Sequence, residues 1–236
     1  MLIFKHIMHS FLWPFTYFIN YFFPQNKNPE ELNDLIYFDF ETTGLNPYHD
    51  KIIEYAFIQE EPNESYDGDY KHNTYINDLI NPKIKFDKKI TDITGIHPEE
   101  LENKDDIYSH LPNIMSFINY SMKTKEIYLV AHNCDSFDRL FLINAIKNYS
   151  EQIDYKHIKF IDTLNLCKIL LPNIKSYSLK NMTKHFNIIP GEHRAMSDTI
   201  ALRELYHKLV KCLAEKINMN TDYILQSPSI VYDYIY

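Results

Sequence analysis

Asp39 and Glu41 stand two residues apart at the end of the apolar run LIYFDF (residues 35–40), and that spacing decides what the pair can do. In a strand, alternate side chains project to one face, so both carboxylates share one side of a sheet beside the Thr42-Thr43-Gly44 turn. Two like charges held close must be protonated, neutralised or bridged by a cation, and at neutral pH a divalent ion is the least costly remedy. Oxygen-only ligands without accompanying Cys or clustered His favour Mg²⁺ or Mn²⁺ over Zn²⁺. An isolated Asp-X-Glu is nevertheless most simply a solvated turn pair. Asp138 and Asp198 each open a helical stretch, where a carboxylate can serve the helix dipole and nothing more. His193 is one of eleven histidines, and imidazole is the side chain that exchanges a proton near neutral pH.

These residues need elements to position them. From Asp34 the chain alternates short apolar runs with longer periodic ones, the texture of strands interleaved with helices. LIYFDF predicts a buried strand, KIIEYAFIQ (51–59) its partner and YKHNTYINDLI (70–80) a third, together a meander. TDITGIHPEEL reads as a turn and a capped helix start, 105–121 as a helix and EIYLVAH (126–132) as a central strand. A helix from about Ser136 to Asn148 and the short strand HIKFID follow. Helices are then expected over Thr163–Leu170 and Ser178–Phe186, and a long one from about Ala195. A meander followed by alternating strands and helices implies an α/β fold with a mixed five-stranded sheet and helices on both faces.

At 236 residues there is room for one well-packed domain and an appendage. Residues 1–33 are crowded with aromatics and end in the polar PQNKNPEELN, residues 34–215 carry the domain, and 216–236 read as a tail. The first segment is either a flank that packs on the domain or an interfacial membrane anchor, with the flank preferred; its interrupted apolar run does not read as a signal peptide. Apolar residues at 45% and charged ones at 24% are globular values. The formal charge of −8 argues against a protein that coats polyanions generally, yet clustered acidic ligands account for part of it. Cys134, Cys167 and Cys212 are widely spaced and odd in number, which points to an intracellular, reducing compartment.

Three ordered motifs change the weight of the individual carboxylates. DFETTGL (39–45), AHNCDSFDRLFL (131–142) and IDTLNL, SYSLKNM and HRAMSD (193–198) together resemble the DEDDh, or DnaQ-like, family of 3′-to-5′ exonucleases, in the RNase H-like superfamily, over residues 34 to 210. The resemblance implies an RNase H-like fold and a pair of Mg²⁺ ions, with Mn²⁺ as the substitute, held by Asp39, Glu41, Asp138 and Asp198. It implies that Asp39 bridges the ions, that Glu41 and Asp198 complete the site where water is activated, and that Asp138 holds the second ion. His193 is then the general base. Thr42, Gly44 and Leu45 are expected beside the terminal nucleotide. His132 and Asn133 join that substrate-binding group, chiefly by supporting the loop through hydrogen bonds. Asp162 reads as a helix cap or a support for the ligands, Asp135 is ambiguous, and Lys180, Lys184 and Arg194 are basic residues flanking the site.

The spacing within the second motif and SYSL is similar to three-prime repair exonucleases, while ETTGL and HRAMSDT are similar to proofreading domains. Oligoribonucleases usually carry Met where Thr42 stands, which favours DNA over short RNA. The expected activity is removal of nucleotides from single-stranded or frayed 3′ DNA ends in proofreading, repair or end trimming. Two alternatives stay open: an exoribonuclease, and a catalytically silent module that contacts a polymerase or membrane through residues 1–33.

Overall fold

The computed structural model of the protein describes residues 34–59, 74–119, 126–150, 153 and 155–236. The expectations placed on residues 1–33, and the start of the third strand at 70–73, lie outside them. Among the described residues no helix is long and apolar enough to cross a membrane.

Five strands, β1 (Asp34–Thr42), β2 (Ile52–Gln59), β3 (Thr74–Leu79), β4 (Ile127–Ala131) and β5 (Ile158–Asp162), form one sheet in the order β3-β2-β1-β4-β5. The β1–β2 and β2–β3 pairs are antiparallel, and β1–β4 and β4–β5 are parallel. The mixed sheet implied by the sequence is therefore present. β2 and β4 are buried at every residue, as strands covered on both faces must be.

Nine α-helices occur among the described residues: α1 (Lys88–Thr94), α2 (Pro98–Leu101), α3 (Ile107–Asn119), α4 (Asp138–Tyr149), α5 (Thr163–Leu170), α6 (Leu179–His185), α7 (Ala195–Ile217), α8 (Thr221–Leu225) and α9 (Ser229–Ile235). One face of the sheet is covered by α7, whose Tyr206 packs edge-on to Tyr37 of β1 with centroids 5.6 Å apart. α9 joins it through Tyr232 against Tyr128. The opposite face holds a ring cluster: Phe38 stacks on Phe57, which meets Phe117 of α3, while Arg139 of α4 lies over Phe160 of β5. Burial of such rings is the main favourable term that fixes the layers.

One stretch departs from its expected form. TDIT of TDITGIHPEEL closes a helix instead of forming a turn. Asp87 caps α1 by accepting from the Lys89 amide at 2.7 Å, and Gly95 ends it at φ 69°, its N–H bonded to Thr91 O at 2.8 Å. β-Branched Ile90, Thr91, Ile93 and Thr94 lower the helix propensity of this segment, which hides it in the sequence. The helix start at HPEEL is present, with the His97 amide donating to Glu100 at 2.8 Å. Residues 216–236 hold the end of α7, α8 and α9, which bury Ile224, Ile230 and Val231.

Candidate metal-binding and catalytic site

The site begins with the alternation of β1. Asp39 and Glu41 project to the face covered by α7, and α7 brings Asp198 from its first turn. Ligand oxygens of Asp39, Glu41 and Asp198 all lie within 4.8 Å of one another. Asp138 arrives from the other helical layer. The β1–β4 ladder runs only as far as Tyr37 and Val130, so β1 continues past its parallel neighbour. Into that gap α4 places its first residue, and the Phe40 amide donates to Asp138 Oδ1 at 3.2 Å.

The charge of this group is its main chemical property. Burial, then the neighbouring Asp138, Glu41, Asp198 and Glu54, hold the Asp39 carboxyl well above the usual carboxylate range. Burial first, then Asp198 and Glu54, push Glu41 up to about 8. Burial raises Asp138 to about 7 against the lowering effect of its backbone hydrogen bonds, and raises Asp198 to about 6 against the pull of His193. Carboxylates that resist ionisation so strongly, with no Lys or Arg among their ligand atoms, fit a divalent cation by donor chemistry as well as by spacing.

His193 lies on the exposed loop before α7, near enough to Asp198 to favour that carboxylate's ionised form. Its backbone is left-handed, φ 56°, a conformation that a non-glycine residue keeps only when its surroundings enforce it. Two anchors do so. Before it, the Glu192 amide donates to Ser197 Oγ at 3.0 Å. After it, Arg194 Nη2 and Nε bind Glu54 at 2.7 and 3.1 Å, and the Ala195 amide donates to the same carboxylate at 2.9 Å. Glu54 lies opposite Glu41 in the β1–β2 ladder and is buried. Its fork-to-fork pair with Arg194 fixes the histidine loop, so this guanidinium is engaged with protein.

The other named residues frame this centre. Thr42 is buried and its hydroxyl donates to Gly44 O at 2.6 Å. Asp50 organises the turn by accepting from Thr43 Oγ1 at 3.2 Å and from the Asn46 amide at 2.8 Å. A Cβ at Gly44 would run into that carboxylate. Leu45, at the tip of the turn, is 82% exposed. His132 uses both ring nitrogens inside the protein, Nε2 donating to Tyr177 O at 2.7 Å and Nδ1 lying 2.9 Å from Thr163 Oγ1. Burial holds its pKa down, which keeps the ring neutral. Asp162 caps α5 through the Leu164 amide at 2.9 Å and also receives the Asn133 and Asp135 amides at 2.9 and 3.1 Å. Asp135 in turn binds Arg139, Asn165 and the hydroxyl of Tyr236, the last at 2.7 Å.

Two supporting residues escaped the sequence reading. Glu54 carried a signal, being the only charged side chain within the otherwise apolar IIEYAFI run. Gly191, one of four glycines, carried a weaker one. A Cβ there would overlap the Asp198 carboxylate and approach its Cα to 2.9 Å, so glycine is what lets the loop lie against this carboxylate.

Known proteins share parts of this sequence and this fold. Chain segments of DNA polymerase III PolC-type from Thermotoga maritima and from Bacillus subtilis are 33% and 34% identical to it over 80% and 77% of its length. The chain spans only 14% and 12% of those two polymerases. Exonuclease I shares the fold, with a TM-score of 0.64 at 22% identity over 82% of this chain and 43% of that one. Escherichia coli exonuclease I solved with a dA16 oligonucleotide gives 0.61 at 22% identity, over 82% of this chain and 43% of that one. The exonuclease family profile of the RNase T type matches residues 36–206, which carry all four carboxylates and His193, and the chain belongs to that family, in the DnaQ-like branch of the RNase H-like superfamily.

Proposed function

We propose that the protein is a 3′-to-5′ exonuclease that hydrolyses phosphodiester bonds at single-stranded or frayed 3′ DNA ends, using two divalent cations. The observation that carries this reading is the convergence of Asp39, Glu41 and Asp198 within 4.8 Å on one face, with Asp138 set against the same strand. When bound, Mg²⁺, with Mn²⁺ as the substitute, would supply Lewis-acid stabilisation of the charge that develops on the scissile phosphate. Asp39, Glu41 and Asp198 would hold one ion, and Asp138 with Asp39 would hold the other.

The chain's own groups perform the remaining tasks. His193 takes the proton from the attacking water at its imidazole, and its exposure allows that proton to pass to solvent. The Arg194–Glu54 pair keeps the histidine loop in place. Thr42 and Gly44 form a fixed floor for the terminal sugar, and Leu45 offers an apolar face to its base. DNA is favoured because the relatives are named as DNA polymerases and the structural neighbours include a complex with single-stranded DNA. Trimming or proofreading beside a polymerase is the setting in which such an activity would serve.

The test is release of mononucleotides from 3′-labelled oligonucleotides with Mg²⁺ or Mn²⁺, alongside a 5′-labelled ladder that reports direction. Activity on DNA should exceed that on matched RNA, and Asp39→Ala and His193→Ala should abolish it with the fold retained. Shortening from the 5′ end, or variants as active as the parent, would refute the assignment.

A further inference from the structure

Between Thr163 and Gly191 the chain carries Lys168, Lys175, Lys180, Lys184 and His185 and no carboxylate, in a protein whose formal charge is −8. This stretch builds α5, α6 and the lip that leads to His193, and the His132–Tyr177 hydrogen bond fastens it to the end of β4. On α6, Lys180 and Lys184 are one turn apart on the same face. Both line an open cleft of about 420 Å³, together with Asn187, Ile189 and Pro190, and no acidic residue lines it. Three lysines elsewhere do sit beside acids, Lys88 by Asp92, Lys104 by Asp78 and Lys159 by Glu126. The cleft ends at Pro190, next to the Gly191 backbone that abuts Asp198. At its rim Ile189 is 84% exposed, the largest value for any bulky apolar side chain among the described residues, followed by Leu45 across the site at 82%. Two such side chains on the two loops entering one acidic centre are poorly explained by packing and well explained by contact with bases.

We propose that this cleft is the track for the strand upstream of the scissile bond, with Lys180 and Lys184 contacting its backbone phosphates and Ile189 packing on a base. The proposal rests on the exonuclease reading of the carboxylate site and deepens it by assigning where the undigested strand lies. Two adjacent ammonium groups repel each other, and a polyanion laid across them relieves that repulsion while releasing counterions. A cationic track beside an acidic centre also divides the tasks: the lysines hold the strand, and the carboxylates are left to the cations.

The decisive comparison uses the full chain with Lys180→Ala/Lys184→Ala, Lys180→Glu/Lys184→Glu, and the control Lys208→Glu/Lys211→Glu on the distant part of α7. Binding of a fluorescein-labelled dT12 is followed by anisotropy in Ca²⁺ over a salt series. Turnover is expressed as the ratio of kcat/KM on dT12 to that on the p-nitrophenyl ester of thymidine 5′-phosphate, which has no upstream strand. The alanine pair should lower that ratio about tenfold and reduce the salt slope by about 1.4, near 0.7 for each single-strand phosphate that no longer meets a lysine. The glutamate pair should lower the ratio further, and the control should match the parent. A ratio and slope equal to the parent's in both cleft variants would overturn the track. Failure of the exonuclease reading itself has a different signature: the parent would turn over neither substrate, while the salt slopes would still decide where the strand binds.

Discussion

Glu54 and Arg194, 140 residues apart, meet in a two-point ion pair with Nη2 2.7 Å from Oε1, and the second carboxylate oxygen accepts the Ala195 amide that opens α7. Because Glu54 is buried, removing Arg194 leaves a charge without its partner, which costs more than a surface ion pair would. Arg194→Ala and Glu54→Ala should each lower the melting temperature and reduce kcat more than KM. A double-mutant cycle should return a coupling on the order of 1–3 kcal/mol by denaturant unfolding. Additive effects would remove the pair from the support of the histidine loop.

Replacing a ligand should separate stability from activity. Burial and four surrounding carboxylates disfavour the ionised form of Asp39, so Asp39→Asn removes the cost of placing a charge there in the metal-free protein. Its melting temperature in EDTA should match or exceed the parent's, by on the order of 2–4 °C, while nuclease activity falls at least a thousandfold. A variant that melts well below the parent in EDTA would show that this cluster is not under the repulsion inferred for it.

The same carboxylates set a pH dependence whose sign is fixed. Glu41, Asp138 and Asp198 have folded-state values of about 8, 7 and 6, above those of free carboxyls near 4. Their contribution to stability is therefore complete below about pH 4 and is lost as pH rises through 6 to 8. Without metal the melting temperature should fall between pH 5 and 8. The rise produced by a fixed excess of Mg²⁺ or Mn²⁺ should grow over the same interval because cations compete with protons. A metal-induced rise that is equal at pH 5.5 and 8 would contradict this.

His193 is distinguishable from the carboxylates by what its loss leaves behind. His193→Ala should cut kcat by about 10²–10⁴-fold and retain Mn²⁺ binding within roughly twofold by calorimetry, since its imidazole is not among the clustered ligand atoms. Loss of metal binding in parallel with activity would move His193 from proton transfer to ligation.

Gly191→Ala tests the close approach of the loop to Asp198. The added methyl has no room beside that carboxylate, so either the loop or Asp198 must shift. Mn²⁺ affinity should weaken at least tenfold while far-UV circular dichroism is retained, as expected when a ligand is displaced. Wild-type affinity would show that the loop can yield without moving the ligand.

The sequence was most legible where one interaction dominated. The short apolar run before Asp39 reads as a buried strand, and the spacing from Asp39 to Glu41 puts both on one face, as the sheet shows. Helices α5, α6 and α7 followed from their periodicity and from polar residues at their starts. Less legible were elements whose stability is tertiary. α8 and α9 are five and seven residues long, too short to be stable alone, and they exist because Ile224 and Val231 are buried. Glu54 was overlooked for a related reason: a lone acid in an apolar strand gives no hint of its partner until α7 closes over it.

β4 stops short of β1, and this difference in length admits Asp138 from one helical layer to the strand that meets Asp198 from the other. The proposed cleavage apparatus is therefore divided between two layers, and a chain whose α7 has come away from the sheet would keep only part of it.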